Sequence, residues 1–394
     1  MWTAFQSAVR TLFRRSTEKE SRKDDIGGGT IEVAQVLEKA CAQKGKCYDT
    51  MSWTAYHSYT TIDKFVTSLA DDFPDKAELH VIGQSWENRD LKLLRITNDL
   101  KVNKPGIWID GGIHAREWIS TAAVTYMMRE FVQNSQKYPI LDHYDLYFLP
   151  LINPDGYEFT RTDGHFIKTW TRDKTKLFWQ KLSNRFWRKN RRPFYPWPES
   201  AMYNRLNPWH SKRQEQDWMW CPGVDLNRNF DTPGWSEVGA YNNSETYAGA
   251  RPFSEPETRA VRDFILNRKG QFRLFLTFHS IGQLILYPSG YEAKATPLET
   301  LHRKLAEKGA EAAKNINGAE YEIGPLATTV YPAAGTSQDW AYLHAGIKYS
   351  YTIELPPSRK NKPGYAGCDL PASDIVAASE EALAITKAMI EALE

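Results

Sequence analysis

Hydrophobic positions along this chain fall into short unbroken runs separated by longer amphipathic stretches. Residues 91–96, 107–109, 146–152, 272–278 and 349–355 are apolar and rich in β-branched or aromatic side chains, and each run predicts a strand. Between them a 3.6-residue spacing predicts helices over 120–133, 255–267, 298–315 and 375–393. Thr61 is expected to cap an earlier helix through Phe65 and Leu69, and Ser254-Glu-Pro to open the 255–267 helix. Continuous apolar strands with helices between them imply a parallel or mixed sheet covered on both faces. The class is α/β, and no internal repeat is present.

The pattern weakens in two places. In residues 1–48, Trp2, Phe5, Val9, Leu12 and Phe13 recur at helical spacing beside Arg10, Arg14 and Arg15. That is an amphipathic, Arg-rich segment with no uninterrupted apolar stretch, so no secretory signal is visible. A charged, Gly-rich linker follows over 16–30, then a short amphipathic helix beginning at Ile31. The body is expected to span 49–394. Within it, residues 164–220 carry Pro193, Pro196, Pro198 and Pro208 among many Trp and Arg, and read as an elaborated loop insertion. Its rings either pack the insertion onto the body or offer an aromatic surface to peptide or sugar.

Composition narrows the function classes. With 41% hydrophobic and 25% charged residues, the 394-residue chain can bury a sizeable core. Lys+Arg 50 against Asp+Glu 48 leaves no overall field to attract nucleic acid. The local basic cluster Arg185, Arg188, Lys189, Arg191, Arg192 stands without any nucleic-acid-binding motif. No run approaches the roughly 20 apolar residues of a membrane-spanning helix. Cys41, Cys47, Cys221 and Cys368 form no C-x-x-C pair, which excludes a cysteine-based zinc site.

The candidate chemistry lies at strand ends. His114-Ala-Arg-Glu117 follows the run 106–113, and an imidazole and a carboxylate three residues apart can face one metal ion from a single turn. Two further protein ligands would make a structural zinc site; one would leave a position open for chemistry. His279 closes the run 272–278 and is the third candidate, its alternative being a satisfied core histidine. Glu354, late in the run 349–355, is either a general base or half of an ion pair with an arginine. Asn227 and Arg228, side by side in Val224-Asp-Leu-Asn-Arg-Asn229, supply the fork and amide that a carboxylate pocket needs.

Taken together, H-A-R-E-W at 114–118, N-P-D-G-Y at 153–157, W-R-K at 187–189, V-D-x-N-R-N at 224–229, F-H-S at 278–280 and T-I-E-L at 352–355 resemble the zinc metallocarboxypeptidases of the pancreatic A/B type. The match runs in order over about residues 51–394. The resemblance implies a single domain with a mixed, eight-stranded twisted sheet between helices. It also implies one zinc ion and a monomer acting outside the cell on the free C-terminus of peptides or proteins. His114, Glu117 and His279 resemble the zinc ligands, and Asp225 the acceptor that orients His114. Glu354 resembles the base that activates zinc-bound water, and Arg188 the cation that stabilises the oxyanion. W-R-K competes for that role with Thr169-Trp-Thr-Arg172. Asn227, Arg228 and Tyr331 resemble the clamp on the substrate carboxylate, and Arg116 a residue of the outer subsites.

By the same resemblance Gln338, ahead of Asp339-Trp-Ala-Tyr342, sets specificity, with Leu286, Gly290, Val330 and Thr352 around it. An uncharged amide implies a neutral C-terminal residue, because it cannot compensate a buried charge. Cys221 stands at a family disulfide position whose partner position holds Asn243, so that bridge is expected to be missing. Asn242-Asn-Ser244 is a formal glycosylation triplet. Residues before 48 are too short for the family's inhibitory prodomain. The competing expectation is a non-catalytic, peptide-binding relative, which would be expected to lose ligands or base.

Overall fold

The computed structural model describes residues 51–162, 184–193, 223–237, 245–358 and 368–393, with Trp53–Glu394 forming one compact unit. The calls on residues 1–48, on most of 164–220, on Cys41, Cys47 and Cys221, and on the 242–244 triplet lie outside the described residues.

Eight strands form one mixed sheet: β1 (Ala77–Gln84), β2 (Asp90–Ile96), β3 (Gly106–Asp110), β4 (Asp145–Leu149), β5 (Phe272–Gly282), β6 (Leu284–Tyr287), β7 (Glu322–Pro325) and β8 (Tyr349–Ser358). Their order is β1-β2-β4-β3-β5-β8-β6-β7. The central strands β4, β3, β5 and β8 run parallel, while β1, β2 and β6 pair antiparallel with their neighbours β2, β4 and β8. All five residues of β3 and of β4 are buried, which is why these strands read as unbroken apolar runs.

Side chains alternate between the two faces. On one face Trp108 stacks on Phe275 with centroids 6.2 Å apart, in a cluster with Phe264, Phe272 and Trp340. The helices on that side are α4 (Pro256–Leu266), against β1, and α6 (Ser337–Leu343), against β5 and β8. On the other side α2 (Trp118–Gln133) packs on the sheet and α7 (Ile375–Glu391) packs on both α2 and α5 (Glu299–Asn317). The remaining helices used here are α1 (Tyr59–Asp72) and α3 (Pro154–Arg161). Among the described residues no helix is long and apolar enough to cross a membrane.

Several details correct the sequence-based expectations. Helix α1 is capped by Ser58, whose hydroxyl accepts from the Thr61 amide at 3.3 Å; Thr61 is already inside the helix. Helix α4 has Glu255, not Ser254, at its N-cap, and no side chain caps it. The strand ending at Leu149 stops short of the expected 152, and β5 continues past His279 to Gly282. Strands β1, β6 and β7 had no counterpart among the apolar runs. The first is an edge strand with half-exposed positions on both faces, and the other two are only four residues long.

The Glu255 carboxylate is used to hold a neighbouring segment instead of capping α4. It accepts from Trp86 Nε1 (2.7 Å), Asn190 Nδ2 (2.8 Å), Ser254 Oγ (2.7 Å) and Arg192 Nη1 (3.1 Å). Asn190 Nδ2 also reaches Glu257 Oε2 at 3.3 Å, while its Oδ1 accepts from the Val224 and Arg192 amides. This buried knot fixes residues 188–192 against the start of α4. Burial, with the Glu255 charge beside it, pushes Glu257 up to about 8 from 4.5, so the folded chain keeps a proton there. The folded state therefore binds more protons than the unfolded one between these values. This contribution to stability is fully present below about 4.5 and is lost as pH rises through about 8. Glu257→Gln should flatten that decline, read as the difference in thermal midpoint between variant and wild type from pH 5 to pH 9. An unchanged slope would contradict the buried proton.

Candidate active site and metal centre

The carboxyl ends of three adjacent parallel strands converge on the site. Asp110 at the end of β3 pairs with Thr277 of β5, and His279 of β5 pairs directly with Glu354 of β8. This is the edge of an α/β sheet where crevices form. After β3 the chain must turn sharply, and Gly112 does so at φ +65°. A Cβ there would sit 2.5 Å from both Leu151 Cδ1 and Thr121 Oγ1, so glycine is required. The turn presents His114 and then Glu117, which lies at the N-cap of α2 but makes no side-chain capping bond. Its carboxylate is directed elsewhere.

His114, Glu117 and His279 are brought together as expected. His114 Nδ1 lies 2.8 Å from Glu117 Oε1, and His279 Nδ1 lies 3.1 Å from both His114 Nδ1 and Glu117 Oε2. All three are buried. Donors about 2.0–2.1 Å from a tetrahedral zinc ion stand roughly 3.3 Å apart, so these separations suit one ion with little adjustment. Two imidazoles and one carboxylate are also the donor set of an open, catalytic zinc site. Among the described residues no other group of His, Cys, Asp and Glu could hold a metal ion.

The surrounding charges orient the cluster. His114 Nε2 lies 3.3 Å from Asp225 Oδ1, and Asp225 Oδ2 accepts from Arg188 Nε at 2.8 Å. Asp225 Oδ1 also accepts from the Asn227 amide at 3.0 Å, which shapes the turn that carries Asn227 and Arg228. Burial opposes ionisation of Asp225, but Arg188 and His114 outweigh it and hold its carboxyl well below the usual range. Glu117 is likewise held low: the two imidazoles overcome its desolvation. Burial and the Arg188 charge lower His114, keeping the imidazole in the neutral form that can donate a lone pair.

One cavity of about 290 Å³ is lined by the three clustered residues together with Arg116, Arg188, Asn227, Arg228, Tyr331 and Glu354. Glu354 makes no ion pair with another described residue, so the ion-pair alternative is not met. Desolvation, reinforced by the Glu117 charge, raises its carboxyl to about 7. Arg188 Nη1 reaches 3.9 Å from Glu117 Oε1, at the edge of the cluster. Arg228 Nη1 donates to the Asn227 carbonyl (2.7 Å) and Nη2 to the Tyr331 hydroxyl (3.0 Å). Asn227 Oδ1 accepts from the Ser337 amide, tying this turn to α6. Arg116 donates to Phe186 O and Glu245 Oε2, each at 3.1 Å.

The specificity residues fall less neatly. Leu286, Val330 and Thr352 line the cavity, but Gly290 and Gln338 do not. Gln338 is fully buried, next to the Asp339 carboxylate that Gly290 N and Tyr291 N hold at 2.9 and 3.0 Å. Ser280, Ile281, Leu326, Ala333, Thr336 and Cys368 complete the lining, and none of them is singled out as a site residue by the sequence. Leu326, Ala333 and Thr336 belong to the connections after the short strand β7, so no apolar run marked them. Thr336 carries a cap signal, since its hydroxyl accepts from the Asp339 amide at 3.4 Å. In the sequence Cys368 stands out only as a cysteine without a C-x-x-C partner. Its thiol is buried, pushed up to about 12 by burial and by the Glu117 charge.

The chain is similar to known proteins over most of its length. The sequence profile described as zinc carboxypeptidase matches residues 62–385. Carboxypeptidase B of Astacus astacus is 39% identical over 334 residues, covering 84% of this chain and 94% of that protein. Carboxypeptidase B of Rattus norvegicus is 38% identical over 342 residues, covering 85% and 70% respectively. A solved structure of bovine thrombin-activatable fibrinolysis inhibitor, in complex with tick carboxypeptidase inhibitor, matches with a TM-score of 0.69 at 30% identity. It covers 86% of this chain and 98% of that one. On the profile match and the length of these alignments, the chain belongs to the zinc carboxypeptidase family.

Proposed function

We propose that this chain is a zinc-dependent carboxypeptidase that removes a neutral residue from the free C-terminus of a peptide or protein. The observation that carries this reading is the sharing of one cavity by the His114–Glu117–His279 cluster and the Arg228–Tyr331 pair. A metal cluster alone suits many hydrolases. A buried guanidinium in the lining of the same cavity is what selects a substrate ending in a carboxylate.

Zinc, when bound by His114, Glu117 and His279, supplies Lewis acidity that polarises the scissile carbonyl and lowers the pKa of water. The chain's own residues do the rest. Arg228, Asn227 and Tyr331 bind the terminal carboxylate and so fix which bond lies over the cluster. Tyr331 is half exposed, and its hydroxyl is already drawn in by Arg228. Glu354 takes the proton of the attacking water and returns it to the leaving amine, a two-way task suited to a carboxyl raised to about 7. Arg188 cannot swing away, because Asp225 grips its Nε, and its charge faces the oxygen on which negative charge develops. Asp225 therefore supports both a ligand and a stabilising cation.

The preference for a neutral residue rests on the cavity wall. Leu286, Leu326 and Val330 are apolar, and the nearby Asp339 carboxylate is occupied by two backbone amides. Asp339 does not line the cavity and Gln338 is uncharged, so neither presents a counter-charge to a basic side chain there. The competing view, a peptide-binding relative without turnover, has no observation in its favour, since cluster, base and clamp line the same cavity.

Two experiments test this reading. Arg228→Ala should lower kcat/KM for free-carboxylate peptides by roughly 30- to 1000-fold, the loss of one buried charged contact. C-terminally amidated peptides should be much less affected; equal losses would contradict the clamp. A panel of peptides differing only in the last residue should favour neutral over charged ends. Gln338→Asp should raise relative kcat/KM for terminal Lys or Arg by at least about tenfold, as a buried counter-charge would. An unchanged preference would show that Gln338 does not set the pocket.

A further inference from the structure

Arg228 and Tyr331 stand 103 positions apart in the chain, yet their side chains meet at 3.0 Å. Arg228 is buried, whereas Tyr331 is half exposed on a stretch, 330–336, that forms neither helix nor strand. Its alignment with Arg228 must come from outside that stretch. Thr232-Pro-Gly-Trp235 has the sequence of a type II turn, with Gly234 at φ +73° in third place and the Trp235 amide donating to the Thr232 carbonyl at 3.2 Å. Both ends of this turn reach the clamp. Trp235 Nε1 donates to the Arg228 carbonyl at 2.8 Å, and the buried Thr232 Oγ1 accepts from the Gly335 amide at 2.6 Å. Neither Thr232 nor Trp235 lines the cavity.

Close approach makes this junction sensitive. Gly335 passes so near Arg228 that an added Cβ would stand 2.1 Å from the Arg228 carbonyl oxygen. The Gly335 carbonyl also accepts from the Phe230 amide at 3.2 Å, and the Asn227–Ser337 bond joins the same two segments at the start of α6. Asn227 itself lines the cavity, so Thr232 is a joining side chain that stands clear of it. On its other side the stretch is tied to Gly290, whose carbonyl accepts from the Ala333 amide at 2.7 Å. With the Thr232 hydroxyl removed, the buried Gly335 N–H loses its acceptor, and the stretch is driven to move until another is found. Tyr331, four residues before Gly335, moves with it.

We propose that the 232–235 turn is a brace for the carboxylate clamp, with Thr232 and Trp235 as the positioning residues that set Tyr331 against Arg228. This rests on the reading of Arg228 and Tyr331 as that clamp. A brace acts on binding of the terminal carboxylate, not on the metal cluster or Glu354. In the zinc-loaded full chain, Thr232→Val, equal in shape but without the hydroxyl, should raise KM for a free-carboxylate peptide roughly 5- to 100-fold, the effect of leaving one buried donor unpaired. Its kcat and zinc content should stay nearly unchanged, the signature of lost binding. Thr232→Ser keeps the acceptor and should restore KM. A merely structural role would lower the active fraction, and so apparent kcat, while leaving KM where it was. Wild-type KM in Thr232→Val, a fall in kcat without a rise in KM, or equal increases in the Val and Ser variants would overturn the proposal.

If Thr232→Val does not fold, Trp235→Phe carries the same test, because Trp235 is only partly buried and phenylalanine keeps a ring without the N–H. A raised KM at nearly constant kcat supports the brace, and an unchanged KM overturns it. Arg228→Ala separates the two levels of the reading. If it leaves KM for free-carboxylate peptides unchanged, the clamp itself fails. If it raises KM while the turn variants do not, only the brace fails.

Discussion

Three donors that would repel one another are pressed together in a buried place. Two imidazole nitrogens 3.1 Å apart, with a carboxylate within 3.1 Å of each, cannot all direct lone pairs at one point unless a positive charge lies among them. In a metal-free chain shared protons can serve; a divalent cation does so better, because every donor can face it at once. The two imidazoles hold the Glu117 carboxyl low, and Arg188 and His114 do the same for Asp225, so both carboxyls favour the charged form. The other features of the site answer to that cluster: Asp225 lies against one histidine, the Thr277 hydroxyl faces the outer nitrogen of the other, and Arg188 and Glu354 line the same cavity.

The sheet is what makes so crowded an arrangement rigid. Parallel β3, β5 and β8 end side by side, and their registers, Asp110 with Thr277 and His279 with Glu354, bring residues from distant parts of the chain next to one another. Trp108 and Phe275, stacked beneath this edge, leave little freedom for the strands to slide. The loop segments are fixed by other means. Asn190 and Glu255 hold the 188–192 stretch with fully buried hydrogen bonds, and Asn227 bonds the Ser337 amide to join the clamp to α6. At Gly335, with φ +77°, any side chain would collide with the Arg228 carbonyl, so the clamp also depends on a bare backbone there.

What could be read from the sequence follows from how each residue is positioned. The central strands announce themselves because both faces are buried, and His114 and His279 stand out because each follows or closes such a run. Edge strand β1 and the short β6 and β7 lack that signal, so the pocket wall built on them was only partly foreseen. The adjacent amide and guanidinium marked Asn227 and Arg228 locally, whereas Arg188 and Asp225 were singled out by the motif resemblance, because their contacts are tertiary. The cap falls on Ser58 instead of Thr61 because, of Ser58, Thr60 and Thr61, only Ser58 lies outside the first turn. Gln338 was expected at the pocket surface but is enclosed, since α6 turns it inward beside Asp339.

In the proposed reading Glu117 belongs to the metal and Glu354 to the chemistry, although both carboxylates line one cavity. Zinc content and peptide turnover measured together on Glu117→Gln and Glu354→Gln separate the two directly. Glu354→Gln should keep about one zinc per chain and lose turnover by roughly 10²–10⁴-fold, whereas Glu117→Gln should lose metal and turnover together. Near wild-type turnover in Glu354→Gln, or full zinc affinity in Glu117→Gln, would contradict it.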